Sequence, residues 1–569
     1  MINVRSLRIS QRKQMECKPI FELSRSSHHL MPSYRFRWVF CQLELLRHCF
    51  PTDVRRILEE LPESLDDTYG RILKQIHKSN RRHAYRLLQC LTVAIRPLRV
   101  EELAEVLALD LSTGAIPNLN ADWRWEDQEE AVLSACSSLV AIITDNGSRV
   151  VQFSHFSVKE FLTSDRLATS FKEMSQFHIP IEPSHVILAQ ACFGVLLRLD
   201  DHTDKDSVKN IPLFRYADAH WIGHAQIGNV ELRIKGAMDH FFDIDKPHFS
   251  AWVRIQDGPH FLKVAASEQP SSSAPLYLAS MSGFPHLVER LIIKHPQDVH
   301  HRGGLYGTPL HAAALGRQIE VTRLLLLHGA DINSHSTDQS TPLHLAARIG
   351  ELEVVRLLLE NNAEVNARNW QDQTPLFCAS ENGNCHIVQL LLDYNADEHL
   401  RANGDTTPLL YATAFGHLEL ARLLLKRHAD VNARDRNGTT PFLHASHTGI
   451  PALVWLLLDH NADEYARDND GNTALHFAAA RGHLEVARLL IERGAEIDAQ
   501  NDKGSTSLHR ASEGLREGNT VVLQLLLDHG ADAQIRNLGG KLASEVARGP
   551  KQQEIVQLLS KYAIERDGK

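Results

Sequence analysis

Seven segments, "TPLHAAALGR", "TPLHLAARIG", "TPLFCASENG", "TPLLYATAFG", "TPFLHASHTG", "TALHFAAARG" and "TSLHRASEGL", begin at positions 308, 341, 374, 407, 440, 473 and 506, each 33 residues after the last. A looser copy precedes them at Ala274. Another follows at Leu542, after an insertion near Gly514–Asn519, which makes nine units in all. A fixed period of this length means that each unit is one supersecondary element. Such a unit has an apolar face that it buries only against its neighbours. More than half of the chain is thereby constrained to a stack.

The letters of one unit spell out its local structure. Threonine ahead of proline supplies a helix N-cap, and proline fits the first helical position, where no amide donor is needed. Five residues after the threonine position stands alanine in every unit: Ala279, Ala313, Ala346, Ala379, Ala412, Ala445, Ala478, Ala511 and Ala547. A position that accepts only alanine is one where two helices approach too closely for a larger side chain. Glycine nine residues after the threonine position (Gly283, Gly350, Gly383, Gly416, Gly449, Gly482) ends the first helix. A second helix follows with a leucine triplet such as Leu357–Leu359, then "GADIN" or "NAEVN", then a polar turn such as "DRNG".

The period and the T-P-L-H-x-A signature resemble ankyrin repeats from Ala274 to about Lys561. The resemblance implies helix–turn–helix–hairpin units stacked with a concave surface that binds a protein ligand. The final segment, "KQQEIVQLLSKYAIERDGK", is polar on its outer side, as a terminal cap should be.

Histidines recur at one register, His311, His344, His476 and His509, among 33 in the chain. A catalytic or metal-binding ladder would need them to converge, yet each unit presents one. The expectation is architectural: the imidazole bonds the threonine or backbone of its own and the adjacent turn. Phe377, Leu410 and Leu443 take the place without disturbing the period. "DNDG" at 468–471 is similar to the start of a calcium loop, but Ala466 stands where an acid is needed, so it is read as a turn. No cofactor and no metal are expected. Function in a stack lives where units differ, which is at the turn tips and the exposed positions of the first helices; the residues singled out are Trp370, Asp372, Asn403, Asp405, Arg436, Asn469, Asp470, Asp502 and Lys503. They form a polar, mostly acidic ladder suited to a protein with a basic face. Its one aromatic, Trp370, is a candidate anchor, since aromatics dominate binding hot spots. The competing reading packs Trp370 on the next tip.

Ahead of the repeats, residues 51–162 alternate helical and strand signals. "RRHAYRLLQCLTVAI" and "RPLRVEELAEVLAL" read as helices. "AVLSACSSLVAIITDNGSRVVQFSH" ends in a hairpin around Asp145-Asn146-Gly147-Ser148, and "SVKE", Ser157 to Glu160, reads as a capping box for the next helix. Three helices followed by a two-stranded wing is a winged-helix pattern. Winged helices often bind DNA, but no basic recognition helix is present, so a packing and relay role is expected.

"FRWVFCQLELLRHC", "LPESLDDTYGRIL", "RPLRVEELAEVLAL" and "VVQFSHFSVKEFL" resemble the segment that follows the ATPase core in fungal NACHT–ankyrin proteins, a branch of the STAND NTPases. In that family the segment is similar to the winged helix of GPI inositol-deacylase-like proteins. "HVILAQACFGVLLRL" and "IPLFRYADAHWIGHA", through "KPHFSAWVRIQ", resemble the helical spacer before the ankyrin repeats, so the resemblance runs from Phe36 to Asp257. The family places a P-loop, G-x-x-x-x-G-K-[ST], upstream. The present sequence contains none, so nucleotide hydrolysis is not carried over. Nor is deacylase chemistry, since no G-x-S-x-G elbow occurs. Phe36, Val39, Phe40 and Leu43 are read as one face of a helix that would pack on the missing ATPase lid.

The net charge is −9, and from Ala274 onward 28 Lys+Arg stand against 36 Asp+Glu, which disfavours a phosphate backbone as ligand of the repeats. No apolar run approaches the ~20 residues of a membrane helix, and the N-terminus lacks the apolar core of a secretory signal. The leader carries few acids, as a mitochondrial presequence does, though Glu16 and Glu22 argue against one. The eight scattered cysteines form no C-x-x-C and read as reduced core thiols.

The expected architecture is mainly α: an ankyrin-repeat solenoid of about nine repeats, preceded by a winged-helix domain and a helical spacer. The expected divisions are a leader at 1–34, a helical remnant at 35–80, the winged helix at 81–165, the spacer at 166–265, a linker at 266–273, ankyrin repeats at 274–563 and a tail at 564–569. The expected function is a non-enzymatic, cytoplasmic or nuclear interaction protein, the sensing or scaffold module of a NACHT/STAND-like signalling protein, with no nucleic-acid or membrane partner. The alternative is the regulatory C-terminal portion of a NACHT NTPase.

Overall fold

The computed structural model describes residues 64–110, 117–119, 127–136, 139–145, 147–169, 174–255, 274–304, 306–514, 518–548 and 552–567. The helix expected at Phe36–Cys49 and the linker at 266–273 lie outside the described residues. The described residues form two compact units, one ending at Ile255 and the other starting at Ala274.

In the first unit the helix Arg81–Val93 leads into β1 (Leu98–Arg99), the helix Val100–Leu107, a short pair β2 (Leu109–Asp110) and β3 (Asn118–Leu119), and the helix Gln128–Cys136. A hairpin of β4 (Val140–Asp145) and β5 (Ser148–Phe153) follows. The order β1-β5-β4 is antiparallel, with Asp145 opposite Ser148 as the Asn-Gly turn requires, and Gly147 adopts φ +79°. Three helices and a wing closed by a short first strand make the winged-helix arrangement. Arg96 holds Glu102 through two bonds of 2.7 and 2.6 Å. Glu102, fully buried, also accepts from the Arg99 amide, so the start of the helix Val100–Leu107 is closed by a paired charge.

The capping box expected at Ser157–Glu160 is corrected. The helix starts two residues earlier, at Phe156, and its N-cap is His155, whose Nδ1 accepts from the Ser157 amide. Ser157 therefore sits buried in the first turn, where its hydroxyl bonds His155 and, at 2.8 Å, the Tyr69 hydroxyl. Tyr69 belongs to the helix Leu65–Gln75, capped by Ser64, so the described part of the expected 35–80 remnant packs on the winged helix.

The expected boundary at 165/166 falls inside this first unit. The helix Ile181–Leu196 packs on both Phe214–Ala225 and Arg81–Val93. The Tyr85 hydroxyl donates to the His178 carbonyl at 2.9 Å, and the Ile95 amide donates to the Tyr216 hydroxyl. The spacer's own core is aromatic: Phe193 lies 5.2 Å edge-on to Trp221, with Phe241 and Trp252 completing the cluster. The winged helix and spacer thus share one core.

The second unit consists, among the described residues, of nine helix pairs from Ala274–Ser282 with Pro285–Lys294 to Ala543–Val546 with Gln552–Asp567. Threonine caps the first helices as expected. Thr374, Thr407 and Thr440 accept from the amide three residues on, with proline at the start of each helix. The recurring alanines are buried, eight of them with no exposed surface and Ala547 nearly so. Gly350, Gly449 and Gly482 end their helices in left-handed conformation, where a Cβ would be strained. The terminal helix buries Ile555 and Leu559 and exposes Gln553, Gln557 and Lys561, a polar outer side as expected.

Candidate protein-interaction site

The recurring histidines are part of the frame. Nδ1 of His311 accepts from the Thr308 amide, and its Nε2–H donates to the Ser340 carbonyl of the next turn at 2.9 Å. His344, His476 and His509 repeat the arrangement on Gln373, Ser505 and Lys541. Both ring nitrogens are used, and the side chains are fully or almost fully buried. Burial pushes the imidazoles of His311, His344 and His476 down to about 4, so they are neutral across the physiological range.

The turn tips are joined to one another. The amide of Trp370 donates to Asp338 O, Asn403 to Gln371 O, Arg436 to Gly404 O, Asn469 to Asn437 O, Asp502 to Asp470 O and Leu538 to Lys503 O. Each bond ties one tip to the preceding one. Within a tip, an Asx side chain closes the turn: Asp468 Oδ1 accepts from the amides of Asp470 and Asn472, and Asn501 Oδ1 from those of Lys503 and Ser505. Beside the tips runs an arginine staircase that the sequence reading missed. The guanidinium of Arg401 donates to Arg434 O, Arg434 to Arg467 O and Arg467 to Gln500 O, at 2.8 to 2.9 Å. Its signal was present as arginine at the same register of successive units.

All nine candidate tip residues are exposed. Their side chains divide by what they already hold. Asn403 and Asn469 spend their amide groups on the preceding tip, at Trp370 O and Arg436 O. Asp372 faces Arg368 at 3.7 Å and, like Asp405, occupies a left-handed position that Gly438, Gly471 and Gly504 fill in later units. Trp370 is 61% exposed and makes no ring contact among the described residues, which favours the anchor over the tip-packing reading. Together Trp370, Asp405, Arg436, Asp470, Asp502 and Lys503 form a continuous margin with free polar groups.

A second surface lies on the first helices. The residue four after the threonine changes from unit to unit, from Leu345 and Cys378, which are buried, to Tyr411, His444, Phe477 and Arg510, which are half-buried. Tyr411 lies edge-on to Phe377 at 4.5 Å and close to Phe415, which is 58% exposed. Further along, a groove of about 600 Å³ opens across the last four units, lined by His447, Phe477, Arg481, Arg510, Glu513 and Arg548 among others. The Nε–H of Arg481 donates to His447 Nε2 at 2.9 Å, and Arg510 pairs with Glu513 at 3.1 Å. These positions vary between units, which is the signal that would have found them. Sequence reading expected exposed first-helix positions to vary but named residues only at the tips.

In the first unit, the third helix of the winged fold, Gln128–Cys136, carries Glu129 and Glu130 in its first turn, and Glu129 pairs with Arg149 of the wing.

Residues 276–369, 366–435 and 428–501 match the family described as ankyrin repeats, three copies, and 479–527 match ankyrin repeats, many copies. Residues 72–173 match the winged helix domain of GPI inositol-deacylase. That match starts inside the helix Leu65–Gln75 and ends past the helix Phe156–Thr163. The chain is 29% identical over 282 residues to "Azaphilone pigments biosynthesis cluster protein L" of Monascus ruber, a match that takes in 46% of this chain and 58% of the relative. No helix of the described residues is long and apolar enough to cross a membrane.

Proposed function

We propose that this chain is a non-catalytic interaction protein whose ankyrin array binds a protein ligand through the tip margin and the adjoining first-helix face, as a sensing or scaffold module of a NACHT/STAND-like signalling protein. The observation that carries this reading is the division of labour within each unit. The recurrent polar groups, the threonines, histidines and staircase arginines, are consumed by the frame. The varying tip residues are exposed, and on the first-helix face Tyr411, His444, Phe477 and Arg510 are half-buried, which leaves polar and aromatic groups at the surface. A stack that fixes its invariant positions internally and varies its surface is suited to recognition by shape and charge. The acids Glu129 and Glu130 on the third helix of the winged fold would repel a phosphate backbone, so that domain is assigned packing and relay instead of DNA reading. The assigned compartment is the cytoplasm or the nucleus.

The winged-helix match favours a second reading, the regulatory C-terminal portion of a NACHT NTPase. An in-frame P-loop in the transcript upstream of Met1 would establish it. The primary reading is tested by affinity capture with the full chain, comparing wild type with a variant carrying Trp370→Ala, Asp405→Gly and Arg436→Ala. Loss of specific protein partners with no loss of thermal stability is expected. Identical captured sets from both proteins would overturn it.

A further inference from the structure

We propose that the first-helix face of the last units holds an extended acidic segment of the protein partner, its carboxylates on Arg481, Arg510 and Arg548 and an apolar side chain on Phe477. The proposal rests on the protein-binding reading and adds the ligand's chemistry.

Charge is the first argument. The array from Ala274 onward is net −8, with 28 Lys+Arg against 36 Asp+Glu, yet this groove gathers three arginines and one acid, Glu513. Availability is the second. The staircase arginines Arg401, Arg434 and Arg467 are by contrast bonded to carbonyls of the frame, and Arg323, Arg356, Arg422 and Arg488 pair with a glutamate of their own helix. Arg481 spends only its Nε–H, on His447, which leaves both terminal amines without a partner among the described residues. Arg510 gives one terminal amine to Glu513 and its Nε–H is shut off from solvent, so its second terminal amine is the donor left for a ligand among the described residues. The Arg548 side chain makes no hydrogen bond or ion pair among the described residues, although its backbone amide is fixed on Ser512 O. Guanidinium groups with unused donors match the two-oxygen geometry of a carboxylate.

The apolar component is Phe477, half-buried and edge-on to His447 at 5.9 Å. The same register carries Tyr411 two units earlier, with Phe415 beside it at 5.3 Å, so an aromatic track leads toward the arginine end. The groove's volume of about 600 Å³ suits side chains of a bound segment. Helices pack ~8–10 Å apart and an extended chain rises ~3.3 Å per residue, so from the Tyr411 unit to the Arg548 unit the track accommodates roughly ten residues.

The test is selection of a phage-displayed library of random ten-residue peptides on the intact chain, in parallel with Arg481→Ala/Arg510→Ala and with Arg481→Lys/Arg510→Lys. Wild type should enrich Asp and Glu next to an apolar residue. A selected peptide should bind the alanine variant at least about tenfold more weakly and lose affinity as salt rises, with partial recovery in the lysine variant. Thermal unfolding of the three proteins should coincide. Enrichment without acidic preference, or none at all, overturns the proposal. So does a single-stranded oligonucleotide that binds wild type more tightly than the selected peptides and is lost in the alanine variant. Peptides that depend on Trp370 but not on the arginines would overturn this assignment and leave the protein-binding reading standing.

Discussion

At the scale of single residues, backbone conformation explains choices that composition does not. The residue closing seven of the second helices is left-handed: Gly329, Asn362, Asn395, His428, Asn461, Gly494 and Gly530 all have φ between +62 and +89°. Asparagine tolerates this region, and histidine does so less well. His428→Gly should therefore stabilise the array by about 0.5–1 kcal/mol, read as a higher denaturant midpoint at constant slope. No change would mean that a contact of the imidazole offsets the strain. The opposite outcome is expected at Ala412, which has no exposed surface. Ala412→Arg forces a charged side chain between two helices and should cost more than about 3 kcal/mol, with loss of cooperative unfolding. Unaltered unfolding would show that the register of the close approach is misplaced.

At the scale of elements, the repeat was legible because each device has a fixed spacing: the threonine cap, the invariant alanine and the glycine stop all stand where the period placed them. What stayed hidden depends on partners far along the chain. The arginine staircase joins residues 33 apart through carbonyls, and a carbonyl has no letter in the sequence. Arg434→Ala removes the bond to Arg467 O and should cost about 0.5–1.5 kcal/mol. Amide exchange should then rise at the neighbouring tips while the helices stay protected. A uniform rise across all helices would contradict a local stapling role. His155 escaped reading as a cap for a similar reason: histidine is an unusual N-cap, and the Ser157–Glu160 spacing offered a more familiar one two residues on. The candidate site was half legible. The tips announced themselves as polar turns, whereas the groove arises only when side chains of four units are brought side by side.

At the scale of the whole molecule, the histidine frame makes stability depend on pH. Burial lowers His311, His344 and His476 from 6.5 to about 4, so on acidification the unfolded chain takes up protons first. Their contribution is full above pH 6.5, falls as the pH drops toward 4, and amounts to about 1.4 kcal/mol per histidine per pH unit within that window. Unfolding of the repeats should therefore become easier from about pH 6.5 downward, and His344→Leu, the residue used at positions 410 and 443, should reduce the slope. A pH-independent midpoint between 6.5 and 4 would contradict the neutral-histidine frame. The winged helix and spacer, expected as separate domains, are joined by the packing of Arg81–Val93 on Ile181–Leu196 and by the bonds of Tyr85 to His178 O and of the Ile95 amide to Tyr216, which no local pattern announces. The most direct measurement of the central claim is the dissociation constant of a captured partner for wild type and Trp370→Ala, each with its unfolding curve. The account predicts weaker binding by about tenfold or more with a change in stability below about 0.5 kcal/mol; unchanged binding, or a parallel loss of binding and stability, would contradict it.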